Sequence, residues 1–270
     1  MHPFITLGPR IQLDSWTVMM TLAFVAGCLV ALNALRERLG LARALVLVLL
    51  MVWGALFGAH LAHLLFHWGS FSGRHLESLL TFWRDGHSFF GALAFCGLLL
   101  LLCSRVFPGL DLWTTADAFA LGAPLGLSLA RVGCYLKGCC WGIPIADGHP
   151  LHGLSYQLID NHYTALHPVQ LYSAASALAI FVVLLGARTR QRVSGTLLGL
   201  LGLLYGCARF FLEFYRGDTG SHSLFLESLS VHQGICLVLV PASALFLYLR
   251  LSGRSKGFRS ESRTPDSGAA

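Results

Sequence analysis

Seven runs of about 20 predominantly apolar residues, separated by short polar segments, dominate the pattern of the chain. A helix needs about 20 residues to cross the hydrocarbon core of a bilayer, where it satisfies its backbone hydrogen bonds internally. The pattern therefore predicts an all-α integral membrane protein with about seven transmembrane helices. The sixth run is the least regular, because Arg209 and Glu213 interrupt it. The predicted spans are residues 15–35, 43–67, 88–107, 117–136, 169–187, 195–214 and 232–250.

The composition agrees with this pattern. Hydrophobic residues make up 55% of the 270 residues and charged residues 12%, with a mean hydropathy of +0.66. A soluble domain has about 25% charged residues. No polar stretch is long enough to fold by itself, so we predict one transmembrane domain over residues 1–252. The polar segment 253–270 predicts a disordered tail. The N-terminal segment lacks the features of a cleaved signal peptide, so we expect the first run to be retained as a span.

The positions of the basic residues predict how the chain crosses the membrane. Lys and Arg accumulate in the cytoplasmic segments of membrane proteins. With the N-terminus outside, 12 of the 19 Lys and Arg residues fall in cytoplasmic segments, including the tail. We therefore predict an external N-terminus and a cytoplasmic C-terminus. The net charge of +6 follows from this distribution and does not indicate a nucleic-acid partner.

Polar residues that are unusual in a span fall at the predicted outer ends of the spans. Ionisable groups within a span are costly and usually functional. Arg131 has no carboxylate one turn away in its own span, and Asp117 lies near the opposite end. Such a guanidinium is suited to a phosphate, which it binds through two parallel hydrogen bonds. Arg131 is therefore a candidate anion-binding residue.

Three further polar residues lie on one face of the sixth span. Tyr205, Arg209 and Glu213 repeat at intervals of four residues, which places them one above the other on a helix. Two interpretations stay open. Arg209 binds a substrate anion, or it forms an internal ion pair with Glu213 that holds helices together.

Three of the eight cysteines, Cys134, Cys139 and Cys140, occur together in the segment ARVGCYLKGCCWG. Their C-x4-C-C spacing is not a standard zinc arrangement, so no metal site is predicted. At an oxidising outer face the alternatives are packing, a structural disulfide, or a reactive thiol. Arg131 and Lys137 would favour the thiolate of such a thiol.

Three ordered blocks of sequence resemble the prolipoprotein diacylglyceryl transferase family, and the resemblance covers nearly the whole chain. The blocks are DAFALGAPLGLSLARVGCYLKGCCWG, HPVQLY and YGCARFFLEFYR. In addition, His87 in GHSFFGAL corresponds to a His-Gly-Gly motif of the family, although Ser88 and Phe89 replace both glycines. The matching residues of the three blocks are Arg131, Gly133, Gly138, Trp141, Gly142, His167, Pro168, Gln170, Leu171, Tyr172, Tyr205, Gly206, Arg209, Phe210, Glu213, Phe214 and Arg216.

The resemblance implies a reaction and its partners. A diacylglyceryl group would pass from phosphatidylglycerol to the lipobox cysteine of a prolipoprotein signal peptide, forming a thioether and releasing glycerol phosphate. The protein would be a multi-pass protein of the bacterial inner membrane, needing no cofactor and no metal.

The resemblance also implies roles for individual residues. Arg131 and Arg209 would neutralise the departing phosphate, and His87 would deprotonate the acceptor thiol. Glu213 would orient Arg209, and Tyr205 would hydrogen-bond the headgroup. The other expected substrate-binding residues are Lys137, His167, Gln170 and Tyr172.

The chain departs from the family in the first block. Where the family has Asn, Asn and Glu, this chain has Cys134, Lys137 and Cys139. Two alternatives therefore stay open. One is a phospholipid-dependent transferase with a different acceptor, whose thiols hold a covalent intermediate or sense redox state. The other is a non-catalytic lipid- or metal-binding protein on the same scaffold.

Overall fold

Seven long α-helices make up most of the residues that the structure describes. The structure is a computed structural model that describes residues 4–6, 12–66, 88–146, 148–152, 154, 156–159, 162–191, 193–217 and 229–261. Each predicted span coincides with one helix, and a 3₁₀ turn, Glu213–Tyr215, follows the sixth. The helices are α1 Ser15–Leu39, α2 Leu41–Phe66, α3 Phe89–Val106, α4 Leu112–Lys137, α5 Val169–Arg190, α6 Thr196–Leu212 and α7 Val231–Glu261.

Most of these helices have the length and apolar character of a membrane span. Six helices in the described ranges qualify, with α6 extended to Tyr215 and α7 counted over Val231–Ser252. The apolar part of α3, Gly91–Val106, is shorter. Large apolar side chains such as Trp53 and Val238 are exposed on the helix surfaces, as lipid contact requires. The multi-pass membrane class is confirmed, whereas the count of seven spans stays a prediction.

Two short β-hairpins, which the sequence analysis did not predict, precede α1 and α5. Strand β1 (Phe4–Thr6) pairs antiparallel with β2 (Gln12–Asp14). Strand β3 (Tyr156–Ile159) pairs antiparallel with β4 (His162–Ala165) in the segment between α4 and α5. The hairpins add a small β component to an otherwise helical fold.

The chain divides into two compact units, and the smaller comprises residues 30–118. In this unit α2 and α3 pack closely, because a Cβ on Gly58 would lie 2.8 Å from the carbonyl oxygen of Gly91 and against the side chain of Phe95. Small residues of this kind allow helix backbones to approach within a membrane. Ser88 caps α3, since its hydroxyl accepts a hydrogen bond from the Gly91 amide at 3.4 Å.

The larger unit comprises residues 1–29 and 119–270 and contains every predicted site residue except His87. Helices α6 and α7 pack through a glycine face, where a Cβ on Gly199 or Gly206 would lie 2.7–2.8 Å from Leu247 or Val240. Near the other end of α7, Arg250 donates two hydrogen bonds to the Ser194 carbonyl, at 2.6 and 3.0 Å. These contacts pack α6 antiparallel to α7, with the start of α6 beside the later part of α7.

Helix α7 runs to Glu261, beyond the predicted end of the last span at residue 250. The boundary at residue 252 and the disordered tail stay predictions.

Candidate functional site

One pocket in the larger unit brings together residues from three of the predicted spans. Its walls come from α4, from the start of α5 and from the end of α6. Arg131, Cys140, Gln170 and Arg209 were all predicted as site residues from the sequence. The lining residues are Arg131, Cys140, Val169, Gln170, Ser173, Arg209, Leu212 and Arg216.

The pocket is electropositive. Three guanidinium groups line it, from Arg131, Arg209 and Arg216, and the carboxylate of Glu213 lies 2.8 Å from Arg209 and 4.0 Å from Arg216. The guanidinium of Arg131 forms no ion pair or hydrogen bond within the part of the chain that the structure describes. Groups of this charge and geometry are suited to a phosphate or another oxyanion.

The carboxylate of Glu213 organises the α6 side of the pocket. Its side chain is only 2% exposed, and one oxygen lies 2.8 Å from Nη2 of Arg209 and 4.0 Å from Nε of Arg216. The other oxygen accepts a hydrogen bond from the Ser230 hydroxyl at 2.9 Å and lies 3.2 Å from Nδ1 of His232. The predicted ion pair between Arg209 and Glu213 therefore exists, and it fixes a guanidinium that also lines the pocket.

The partners of Glu213 on α7 are held by a capping box at the start of that helix. The Ser230 hydroxyl accepts from the Gln233 amide at 3.2 Å, and the Gln233 side-chain oxygen accepts from the Ser230 amide at 3.0 Å. This reciprocal pair satisfies amides that the first turn of a helix leaves unpaired. Ser230 thus caps α7 and orients Glu213.

The segment after α4 is fixed to α5 and to the end of α6 by main-chain contacts. Nε2 of Gln170 donates to the Cys139 carbonyl at 2.8 Å, and the Ile143 amide donates to the Tyr215 carbonyl at 2.9 Å. Gly142 has no room for a side chain, because a Cβ there would lie 2.5–2.7 Å from the carbonyl oxygens of His167 and Tyr215. The glycine is needed for close backbone approach.

His167 lies in a cluster of rings next to this segment. Its Nδ1 is 3.1 Å from the Tyr172 hydroxyl, and its ring is 5.6 Å from that of His149 and 5.3 Å from that of Tyr215. Burial, and secondarily the charge of His149, lower the pKa of His167 below its ordinary 6.5. The imidazole is therefore neutral near pH 7 and hydrogen-bonds Tyr172. The rings of His167 and Tyr172 do not line the pocket that contains Arg131, Arg209 and Arg216 (the arginine pocket).

The three clustered thiols meet because of how α4 ends. Gly138 adopts a left-handed backbone with φ of 80°. Its amide donates to the Tyr135 carbonyl at 3.1 Å, and the Cys139 amide donates to the Cys134 carbonyl at 3.1 Å. These two bonds define a Schellman motif, which brings the residue after the left-handed glycine against the residue five positions earlier. Cys139 therefore returns to Cys134.

Cys140 completes the group. Its own φ is 61°, and the ligand atoms of Cys134, Cys139 and Cys140 all lie within 4.8 Å of one another. All eight cysteines lie in the described ranges, and none forms a disulfide. Burial is the main reason that the pKa of Cys139 is raised above its ordinary 9.0.

A further three predicted residues do not line the pocket or lie outside the described ranges. Lys137 is exposed, with Nζ 4.8 Å from the centre of the Trp16 ring. Tyr205 is half-buried on α6, one turn before Arg209, and does not line the pocket. His87 lies outside the described residues, so its predicted role as a base stays untested.

Lys137 also affects the start of α1. Asp14 caps that helix, accepting from the Thr17 amide at 2.9 Å. This bond, a second from the Thr17 hydroxyl and the charge of Lys137 keep the pKa of Asp14 below 3.8.

Three residues of the site were not among the predicted site residues. Arg216 lines the pocket, and Ser230 and His232 bind Glu213. Arg216 belongs to a matched sequence block, and the S-x-x-Q spacing of Ser230 and Gln233 is a recognisable capping signal. The sequence contains no comparable signal for His232.

Comparison with known proteins identifies relatives. A family model described as prolipoprotein diacylglyceryl transferase matches residues 3–249. Proteins named phosphatidylglycerol–prolipoprotein diacylglyceryl transferase are similar to this chain in several bacteria. That of Mannheimia succiniciproducens is 28% identical over 176 residues, 63% of this chain and 62% of the relative. That of Glaesserella parasuis is 33% identical over 169 residues, 61% and 60% of the two chains. That of Nitrosomonas europaea is 29% identical over 199 residues, 73% and 69% of the two chains.

The first two matches cover somewhat less than two thirds of each relative's own length. The family model, in contrast, spans α1 to α6, the part of α7 up to residue 249 and all three sequence blocks. On this basis the chain belongs to the prolipoprotein diacylglyceryl transferase family.

Proposed function

We propose that this protein transfers a diacylglyceryl group from phosphatidylglycerol to the lipobox cysteine of prolipoproteins, in the inner membrane of a bacterium. The observation that supports this most directly is the pocket lined by the guanidinium groups of Arg131, Arg209 and Arg216 in a multi-pass membrane protein. The names of the relatives support the same substrates.

The reaction requires charge neutralisation at the phosphate. The bond between the glyceryl carbon and the phosphate oxygen breaks, a carbon–sulfur bond forms, and glycerol phosphate leaves with the electron pair of the broken bond. Arg131 and Arg209 stabilise the negative charge that develops on the departing group. Glu213 holds Arg209 in position through an ion pair of 2.8 Å.

The proton of the acceptor thiol must pass to a base. We assign this role to His87, whose ordinary pKa is near neutrality. Gln170 and the pair of His167 and Tyr172 position the headgroup or the segment around it. Tyr205 hydrogen-bonds the headgroup from α6, and Lys137 adds positive charge at the membrane surface.

The headgroup does not fit the pocket without movement of its walls. The free volume is about 10 Å³, about one water molecule. Binding therefore requires side chains that line the pocket to move.

The proposed topology places the N-terminus outside and the tail after residue 252 in the cytoplasm. This supports delivery of the acceptor from the outer face, where lipoprotein signal peptides emerge. A reporter fused after residue 252, fluorescent in the cytoplasm but not outside, tests the topology. We expect fluorescent cells. Full-length protein without fluorescence would show that the C-terminus lies outside, which contradicts the proposed orientation.

A depletion experiment tests the activity. The native transferase of a host is depleted, this chain is expressed, and mass spectrometry follows the diacylglyceryl thioether on a reporter prolipoprotein. We expect modification by the unaltered chain and a loss of about 100-fold or more for Arg131→Gln, the usual effect of removing one such charge-stabilising donor.

Arg105→Gln is the matched control, because Arg105 is exposed in the last turn of α3. It should leave the modification unchanged. Absence of modification by a correctly inserted chain refutes the proposed acceptor. If the inserted chain instead consumes phosphatidylglycerol without modifying the reporter, a different acceptor is indicated.

A further inference from the structure

The three thiols at the end of α4 form a ligand set. The Schellman motif places Cys139 against Cys134, and the left-handed backbone of Cys140 adds a third sulfur, so that all three lie within 4.8 Å. With metal–sulfur bonds of about 2.3 Å, three sulfurs around one ion in a plane lie about 4.0 Å apart. Small rotations of the side chains are enough to reach this geometry.

We propose that Cys134, Cys139 and Cys140 bind one soft metal ion, Cu⁺ or Zn²⁺, through three thiolates. Each thiol releases its proton when the ion binds, and no change of oxidation state is needed. The proposal does not rest on the proposed transfer reaction, although Cys140 also lines the arginine pocket.

The chemistry of the ligands restricts the ion. Thiolates select soft ions such as Cu⁺ and Zn²⁺ over Mg²⁺ or Ca²⁺, which prefer oxygen. Among the residues that the structure describes, no His, Asp, Glu or further Cys joins the three. Cu⁺ is satisfied by three thiolates, whereas Zn²⁺ takes a water as its fourth ligand.

The cluster has a cation near it and a main chain that is already fixed. Three thiolates around Cu⁺ carry two negative charges, and around Zn²⁺ one. The positive charge of Arg131 lies one helical turn before Cys134 on α4. The main chain is already fixed, because Gln170 holds the Cys139 carbonyl at 2.8 Å. Little of the loop therefore has to be ordered when the ion binds.

Metal retention by the full chain tests the proposal. The protein is purified in detergent under reducing, anaerobic conditions, loaded separately with Cu⁺ and with Zn²⁺, and freed of excess ion. We expect one ion per chain by elemental analysis. X-ray absorption should show a coordination sphere of three sulfurs for Cu⁺, or of three sulfurs and one oxygen for Zn²⁺. The ion that the chain retains more tightly is the expected occupant.

Serine variants locate the site. Each of Cys134→Ser, Cys139→Ser and Cys140→Ser should weaken metal retention by at least about 100-fold. Mutating a residue that only hydrogen-bonds to a metal ligand already lowers metal affinity about 10- to 100-fold. Cys28→Ser and Cys207→Ser are the matched controls, since both thiols lie outside the cluster. Retention that survives in the cluster variants, or falls equally in the controls, overturns the proposal.

A second measurement does not depend on the folding of variants. In the unaltered chain, a bound ion should protect Cys134, Cys139 and Cys140 from alkylation, and removal of the ion should restore it. Equal alkylation with and without metal contradicts the proposal. So does a disulfide between two of the three cysteines in protein whose thiols are blocked at cell lysis, because it would consume the ligands.

Discussion

The carboxylate of Glu213 has four polar neighbours, and replacing it with Gln tests whether this cluster stabilises the site. Arg209 Nη2 lies 2.8 Å away and Arg216 Nε 4.0 Å away. The Ser230 hydroxyl donates at 2.9 Å, and His232 Nδ1 is at 3.2 Å. Gln has nearly the same shape and keeps one acceptor oxygen for Ser230. What it removes is the negative charge.

The expected loss follows from the burial of the pair. The side chains of Glu213 and Arg209 are 2% and 12% exposed. Breaking a buried ion pair by removing one partner costs about 3–5 kcal/mol, because the remaining charge is left without compensation. We expect the lower end, about 3 kcal/mol, because the Ser230 hydrogen bond survives and Arg209 retains some contact with its surroundings.

Equilibrium unfolding of the full chain in mixed micelles, followed by helix content, measures this loss. Glu37→Gln is the matched control, because Glu37 is exposed near the end of α1. It should change the free energy of unfolding by less than about 0.5 kcal/mol. The two substitutions remove the same charge, so their difference isolates the effect of burial.

A double-mutant cycle with Arg209→Met separates the ion pair from general damage. If the pair is the cause, the double variant should lose at least about 1 kcal/mol less than the two single losses together. Losses that add within about 0.5 kcal/mol, or an unaltered free energy for Glu213→Gln alone, would refute the assigned role of the carboxylate.

Three further predictions concern the segments around the pocket. Gly142→Ala should lower the unfolding temperature, since its Cβ would meet two carbonyl oxygens at 2.5–2.7 Å, whereas Gly97→Ala, with nothing within 4 Å, should not lower it. Ser230→Ala should cost about 1–2 kcal/mol in the same unfolding assay by removing the α7 cap, and a loss below about 0.3 kcal/mol would contradict this. Because the pKa of His167 is lowered, this residue binds fewer protons in the folded state than in the unfolded state. Its contribution to the free energy of unfolding is therefore present above pH 6.5 and is lost as the pH falls through the lowered pKa. His167→Gln should therefore flatten the fall in unfolding temperature below about pH 6.5, and an unchanged pH dependence would show that another group, such as His149, is responsible.

The helices could be predicted because a bilayer imposes a simple rule on sequence. Each span needs a long apolar run, and the runs coincide with the seven helices. The pairing of Arg209 with Glu213 was one of two interpretations, since a separation of four residues places both groups on one helix face. Both inferences rest on local periodicity, which the sequence displays directly.

Features that depend on contacts between distant segments could not be predicted in the same way. The hairpins use short strands in polar segments, where periodicity is weak. The contact of His232 with Glu213 joins α7 to the end of α6, and nothing in either segment alone indicates it. The spacing of the three cysteines does not match a zinc motif and did not indicate that the thiols meet. The feature that brings them together is Gly138, which ends α4 in a left-handed conformation. A left-handed glycine directly before a cysteine predicts its return to the preceding turn.

Cys140 connects the two chemical features of the site, because it belongs to the thiol cluster and also lines the arginine pocket. If the cluster binds a metal ion, three neutral thiols become a group with one or two negative charges beside Arg131. That group competes with an anionic headgroup for the same guanidinium, so metal loading should weaken the binding of a fluorescent phosphatidylglycerol to the purified chain. The effect should disappear in Cys134→Ser, which cannot complete the ligand set. Equal lipid affinity of the metal-free and metal-loaded chains would show that the two features act independently despite their shared residue.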